Sequence, residues 1–287
     1  MNKHITIMFN GTIWDMLGEY LYFLKEIFPE LKDFCGKHAI DLEYIDSSYE
    51  MPIEDALHQR ALLDYLEFID MDRTFFVCFR GQRYGWIPTA GDVDGLTLDI
   101  YPELVKYVTS ISITDIAMLH ALRPFCKIED GEEIRMDPVK HAFFYYRNAD
   151  YVKDLNHCQK LIYTNLSMGD DEDVGDINLA KAKDIVFEIK REFAKIEGCE
   201  SEVIVRHYDG IWDNDLKIAD VLREYTTEYA KLRGQSPKHL MRLYEHEDCK
   251  GTKGCFVDFK FEDKSVKDIV IDDFKKALVA EFPEYFK

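Results

Sequence analysis

Apolar and polar residues change their spacing along the chain in a way that predicts strands alternating with helices. Three short apolar runs have the length and composition of buried strands: Ile5–Phe9, Ala39–Ile45 and Thr74–Phe79. Segments 15–34 and 54–69 separate these runs, and their apolar residues recur at helical spacing. Since strands joined by helices form right-handed crossovers, the pattern predicts a parallel sheet whose strand-ending turns meet at one edge.

The second half of the chain continues this alternation. A helix is predicted at Thr114–Leu122 and a strand at Ala142–Tyr146, with a long irregular connection between them. The acidic segment 165–176 is predicted to be a surface loop. Further elements are expected as helices at Leu179–Ile196, Leu216–Leu232 and Val266–Phe282, and as strands at Glu202–Tyr208 and Cys255–Phe259. With 287 residues and no Pro-rich linker, the chain fits one elaborated α/β domain.

The segment Gly81–Pro88 carries the most informative chemistry. It follows a predicted buried strand and combines glycines, which allow close approach of the backbone, with Arg83, Tyr84 and Trp86. Ligands bind at the carboxyl edge of open parallel sheets. The segment is therefore either a turn that binds a nucleotide or a partner loop, or a tightly packed turn whose aromatic side chains fill the core.

The charge of the chain narrows the possible partners. A net charge of −19 repels nucleic-acid backbones and anionic membranes, so neither is expected to bind.

No apolar run approaches the roughly 20 residues needed to span a bilayer, and the first residues carry no signal-peptide pattern. Seven cysteines without a regular framework agree with reduced thiols. These features predict a cytoplasmic protein.

Metal and ATP chemistry receive little support from the sequence. His239, His246, Cys249 and Cys255 lie close together, but their spacing matches no strong zinc pattern and favours a plain hairpin. The glycines that begin at Gly81 are not followed by the Gly-Lys-Ser/Thr of a phosphate-binding loop. We expect no metal, and no cofactor other than a nucleotide substrate.

Four sequence blocks occur in an order that is typical of one family. The blocks are Phe9–Met16 with Glu19 and Phe28–Leu31; Ile45–Glu50; Gly81–Pro88; and Ser112–Ala121 followed by Phe143–Arg147. They are similar, in turn, to a Ser-Ser-Thr-Phe-Arg-Asp-Met turn with its helix, to Ile-Asp-Leu-Arg-Trp-Gly, to Gly-x-Arg-Tyr-Gly-Trp-x-Pro, and to Ser-Val-Thr-Glu-x-Glu-Ile-x-His-Gly followed by Phe-Phe-Tyr-x-Arg. The third block is complete here. The chain thus resembles the TIR-like N-terminal domains that precede NACHT modules in nephrocystin-like, NACHT and WD-repeat, and vault telomerase-associated proteins.

The resemblance implies an α/β fold of the TIR-like (flavodoxin-like) type, a three-layer sandwich with a central parallel sheet and C-terminal elaborations. Residues 1–165 would form the TIR-like core, and residues 166–287 would complete the same domain. TIR domains either scaffold signalling assemblies or cleave NAD at the nicotinamide–ribose bond. The implied partners are NAD or a related nucleotide, and a homo-oligomer or a NACHT-type assembly in innate-immune or antiviral signalling.

The family's catalytic carboxylate corresponds to Ala117 in this chain. A single carboxylate can suffice for NAD cleavage because nicotinamide leaves as a neutral molecule, and the carboxylate stabilises the developing oxocarbenium ion. Ala117 cannot act in this way, which leaves an engineered Glu-to-Ala change, natural loss of the activity, or misalignment as explanations. Asp115 points to a different helical face and is a poor substitute.

The resemblance and the Gly81–Pro88 turn together predict a nucleotide site at the carboxyl edge. Its residues would be Asn10, Gly11, Thr12, Trp14, Asp46, Arg83, Tyr84 and Trp86. Ala117 is expected on a helix that borders the same nucleotide-sized cleft. Trp14 stands where the family often has Arg, and it either stacks on a base or packs on neighbouring loops. If Ala117 is native, the alternative function is a non-catalytic TIR-like interaction domain that recruits partners through its loops.

Overall fold

The structure is a computed structural model that describes residues 3–46, 61–164, 202–234 and 251–286. A seven-stranded sheet with the order β2-β1-β3-β6-β7-β8-β9 forms its centre, and β4 and β5 form a separate two-stranded sheet. The strands are β1 (His4–Asn10), β2 (Asp41–Asp46), β3 (Thr74–Arg80), β4 (Phe125–Glu129), β5 (Glu132–Met136), β6 (His141–Arg147), β7 (Glu202–Lys217), β8 (Lys253–Phe261) and β9 (Lys264–Ser265). The helices are α1 (Ile13–Tyr22), α2 (Phe28–Lys37), α3 (Ala61–Ile69), α4 (Gly95–Ile100), α5 (Ile113–Leu122), α6 (His157–Tyr163), α7 (Ile218–Arg233) and α8 (Val266–Glu281).

Five neighbouring strands of the central sheet run parallel to one another: β2, β1, β3, β6 and the first half of β7. In the sheet, β1 lies between β2 and β3, and β6 and then β7 follow on the side of β3. The register pairs Phe9 with Asp46 on one side and with Val77 on the other, so the three strand ends meet at one edge. The predicted parallel sheet with its turns at a common edge is therefore confirmed. The architecture is α/β with helices on both faces and is compatible with a flavodoxin-like fold.

Alternation along the strands assigns their side chains to two cores. Phe9, Phe79 and Tyr145 belong to a core that also contains residues of α1, α2, α7 and α8. Met8, Cys78 and others point to the opposite face, where they pack against α3 and α5. Because β3 and β6 are buried on both faces, they are apolar over nearly their whole length.

The strand β7 is longer than the sequence predicted. Residues 202–208 pair in parallel with β6, and the second half, from Asp209, pairs in antiparallel register with β8. The prediction ended at Tyr208 because the polar run that follows has the composition of a turn. In the structure this run continues as a two-stranded ribbon with β8, so the C-terminal elements share the sheet and the core of the N-terminal half.

Two further local predictions need correction. The connection between α5 and β6 is not irregular, because β4 and β5 form a hairpin around Asp130 and Gly131. Both turn residues have positive φ, which is the geometry that an Asp-Gly pair supports in tight hairpins. The helix predicted over 15–34 is interrupted at Phe23–Ile27 by a π-helical turn between α1 and α2.

Several predictions fall outside the described ranges. They are the helix at 179–196, the acidic loop at 165–176, the start of the helix predicted at 54–69, and His239, His246 and Cys249. Within the part of the chain that the structure describes, no helix is both long and apolar enough to cross a bilayer.

Candidate functional site

The carboxyl ends of β1 and β3 form the candidate site. The strand order reverses at β1, since β2 lies on one side of it and β3 on the other. Chain connections leave such a point in opposite directions and open a crevice, which is where α/β sheets bind ligands. The turn after β1 and the edge turn (Gly81–Pro88) after β3 border this position.

A fully buried arginine lies directly beneath the edge turn. The guanidinium of Arg147, at the end of β6, donates hydrogen bonds to Oε1 of Glu19 and, at 2.9 Å, to the carbonyl oxygen of Asp15. Its Nη2 also lies 3.8 Å from the carboxylate of Asp15 and donates to the hydroxyl of Tyr151 at 3.0 Å. The hydroxyl of Tyr208 completes the group by donating to Glu19 at 2.7 Å. We call these five residues the Arg147 network.

Burial controls the electrostatics of the Arg147 network. Loss of hydration raises the pKa of Asp15 and of Glu19 above the ordinary carboxyl range, and the positive charge of Arg147 opposes this shift. Burial alone would lower the pKa of Arg147, but Glu19 and neighbouring groups raise it well above its usual value. The guanidinium therefore stays charged, and it stacks 4.0 Å from the ring centre of Phe256.

Gly81 allows the edge turn to pass over this network. A methyl group added at Gly81 would overlap the Asp15 carboxylate and lie 2.6 Å from Nη2 of Arg147. The backbone N–H of Arg83 also donates to the Asp15 carboxylate, at 3.2 Å. Thr12 donates to the other Asp15 oxygen at 2.7 Å, so one carboxylate ties the turns after β1 and β3 together.

A second buried ion pair fixes the other side of the edge turn. Nη2 of Arg80 lies 3.3 Å from Oδ1 of Asp115, and both side chains are fully buried. The same guanidinium nitrogen donates to the carbonyl oxygen of Tyr84 at 3.4 Å. Burial raises the pKa of Asp115, and Arg80 opposes the shift. Asp115 is thus a structural partner of β3 at the start of α5.

Some of the predicted site residues are buried in internal contacts. Asn10 donates to the carbonyl oxygen of Thr114 at 3.3 Å, and Asp46 accepts a hydrogen bond from Tyr225 at 2.6 Å. Both are fully buried, Tyr84 is 2% exposed, and Gly11 is buried as well. In this conformation these four residues lie at the predicted edge but present almost no surface to a ligand.

The remaining predicted residues reach the surface at this edge. Thr12, Trp14 and Arg83 are half-buried, and Trp86 is 57% exposed. Arg83 stacks against the ring of Trp14, and its Nη1 donates to the carbonyl oxygens of Leu161 (2.8 Å), Ile162 (3.3 Å) and Thr164 (3.1 Å) at the end of α6. The guanidinium that was predicted to contact a nucleotide therefore holds α6 against the edge turn.

The expectation that Ala117 borders a cleft is wrong. Ala117 has 0% exposed surface and belongs to an apolar cluster with Met8, Phe76 and Phe144. Residues 114–122 of α5 are all buried, because this helix is covered by the sheet on one side and by α3 and the segment after α4 on the other. A side chain at position 117 points into the core and not toward the edge turn.

The sequence did contain signals for the buried charges. Asp15 and Glu19 are four residues apart on an otherwise apolar helix, which places both carboxylates on one face. Arg80 and Arg147 each end an apolar strand that is buried on both faces. Charged residues in such positions require buried partners, and this argument would have pointed to both ion pairs.

Metal ligands do not gather within the described ranges. No group of three or more His, Cys, Asp or Glu side chains there is arranged to hold a metal ion. Cys255, the one described member of the cysteine and histidine stretch, is buried in the core.

Comparison with known proteins identifies no matching family, no matching curated protein and no matching solved structure. The class that the structure defines is therefore the architectural one: an α/β protein with a mostly parallel sheet and a crevice position between β1 and β3.

Replacing Arg147 with Met should strongly destabilise the protein. Removing one member of a buried ion pair leaves the partner charges uncompensated, which costs about 3–5 kcal/mol. We expect the free energy of unfolding in urea to fall by that amount. Adding Glu19→Leu to the same chain should recover part of the loss.

The matched control is Arg223→Met, which removes an arginine from an exposed pair with Asp220. It should change the unfolding free energy by no more than about 1 kcal/mol. Equal effects of Arg147→Met and Arg223→Met would contradict the assignment of a buried network.

Replacing Ala117 with Glu should unfold or severely destabilise the chain. The carboxylate would be buried in a largely apolar cluster, with a cost of more than about 4 kcal/mol. Thermal unfolding followed by circular dichroism measures this effect. Val105→Glu adds the same group at a 65% exposed site and should shift the stability by about 0.5 kcal/mol or less. If Ala117→Glu were as stable as the wild-type chain, position 117 would not be buried in the core and would belong to the candidate site.

Proposed function

We propose that this chain is a TIR-like domain that acts as a non-catalytic interaction module of a cytoplasmic signalling protein. One observation carries the proposal: the position that the resemblance assigns to the catalytic carboxylate is sealed in the core. A carboxylate that stabilises an oxocarbenium ion must touch the ribose. The burial of Ala117 therefore supports a function other than catalysis at this position.

The other carboxylates at the carboxyl edge support the same proposal. Asp15, Glu19 and Asp115 are each no more than 1% exposed, and each lies against a buried arginine. Their contacts hold the backbone of the turns after β1 and β3. These groups give the edge a fixed shape, which is what a recognition surface requires.

The surface of the edge turn has the composition of a binding hot spot. Trp86 and the neighbouring Ile87 are 57% and 38% exposed, although both are large and apolar. The turn beneath them is held by Asp15, by Arg80 and by the hydrogen bond from the Ile113 N–H to the Trp86 carbonyl oxygen at 3.0 Å. Tryptophan on a rigid backbone is the residue type most enriched at interface hot spots.

The proposed partner is a second copy of the chain, as in TIR-type assemblies or within a NACHT-type complex. With a net charge of −19, two copies repel each other at low ionic strength. Added salt screens this repulsion, whereas apolar contacts of Trp86 persist. Self-association should therefore strengthen as salt is raised from a low value.

Replacing Trp86 with Asp should weaken self-association about tenfold or more, as expected for a central aromatic contact. Sedimentation equilibrium over a range of protein and salt concentrations measures the dissociation constant. Val279→Asp makes the same apolar-to-acidic change at a 42% exposed position on α8 and should leave the constant unchanged. A wild-type chain that stays monomeric under all conditions would contradict the self-association, as would equal effects of both variants.

A second candidate function is NAD cleavage, which the resemblance also implies. Its favouring observation is that Thr12, Trp14, Arg83 and Trp86 reach the surface where parallel sheets bind nucleotides. The two proposals differ in one measurement, the release of nicotinamide from NAD at protein concentrations that permit assembly. The interaction proposal expects no release above a heat-denatured control. Turnover by the wild-type chain would establish the enzyme, with a carboxylate other than one at position 117.

A further inference from the structure

A cleft separate from the Trp86 surface has no role in the proposed function. It has a volume of about 700 Å³ and lies between the start of α6 and the ribbon of β7 and β8. Small-molecule sites commonly enclose about 300–1,000 Å³. Its lining residues include Asn156, His157, Cys158, Asn214 and Lys253.

The described residues that line this cleft differ in charge from the chain as a whole. The sequence has 55 acidic residues against 36 Lys and Arg, yet the described residues that line the cleft include Lys253 and no carboxylate. The carboxylate of Asp215 lies 3.6 Å from Nζ of Lys253, but it is 96% exposed and therefore well hydrated. Lys253 thus supplies a positive charge beside the amide side chains of the cleft.

The walls of the cleft are fixed by hydrogen bonds. Asn156 and Gln159 exchange reciprocal backbone and side-chain bonds at 2.9 and 3.0 Å, and Gln159 Nε2 also donates to the carbonyl oxygen of Lys253 at 2.8 Å. Gly254 has a φ of 105°, and a methyl group there would overlap the ring of Trp212. The cleft is thus preformed, which reduces the entropy cost of binding.

We propose that this cleft binds a small polyhydroxy anion that carries a phosphate or a carboxylate. Lys253 faces the anionic group, and the amide nitrogens of Asn156 and Asn214 and the imidazole of His157 bind its hydroxyl groups. Charge-assisted hydrogen bonds favour the anion over a neutral sugar. This inference is independent of the interaction function, because neither Trp86 nor the Arg147 network lines the cleft.

Trp212 reports on this cleft because its Nε1 donates to Asn214 at 2.9 Å. The chain has three tryptophans, so the indole N–H signals can be assigned in NMR spectra with Trp14→Phe, Trp86→Phe and Trp212→Phe. Titration with ribose 5-phosphate, gluconate and ribose tests the phosphate, the carboxylate and the neutral sugar. We expect at least one anion to shift the Trp212 signal to saturation, with ribose at least about tenfold weaker.

Substitutions and thiol labelling locate the site. Lys253→Met should raise the dissociation constant about tenfold or more, whereas Lys264→Met, an equal change on exposed β9, should leave it unchanged. The anion should slow iodoacetamide labelling of the exposed Cys158 but not of Cys126, as read by peptide mass spectrometry. The proposal is supported if the anion shifts the Trp212 signal to saturation and this shift is lost in Lys253→Met. Absence of a Trp212 shift, shifts confined to Trp14 or Trp86, or equal binding of ribose would overturn it.

Discussion

The buried guanidinium of Arg147 is the interaction on which the carboxyl edge depends. It connects β6 with α1 through Glu19 and Asp15, and Tyr208 connects β7 to the same carboxylate. A charged group in the core is stable only when it is paired and hydrogen-bonded, so the network fixes the relative positions of these elements. Gly81 is required above it because no side chain fits between the edge turn and the charges.

The same network affects which residues at the edge are available to a ligand. In a parallel sheet the crevice between β1 and β3 is the expected ligand site, and charged residues near it are expected to act on a ligand. Here Arg80, Arg147 and their carboxylate partners lie beneath the turns and bind one another. What reaches solvent at this edge is Trp86 with Ile87, together with parts of Thr12, Trp14 and Arg83, and this is the surface that the proposed partner would contact.

The helix α6 links the two surfaces that carry proposals. Its first residues line the anion cleft, and its last carbonyl oxygens accept hydrogen bonds from Arg83 in the edge turn. Seven residues span about 10 Å in a helix, so the two surfaces are separate but share one rigid element. Arg83 is therefore important for the shape of the edge even if it contacts no nucleotide.

The sequence by itself determined the alternation of strands and helices, the parallel core strands and the common edge of their turns, because burial on two faces leaves a clear apolar pattern. It did not determine the β4–β5 hairpin or the second half of β7, where polar residues on exposed ribbons resemble loops. The sequence also did not determine which way position 117 faces. Helix α5 is apolar on all sides, so the spacing of its apolar residues favours no face. Only the tertiary structure decided that α5 is covered on every side, and that the arginines at the strand ends bind carboxylates of helices distant in sequence.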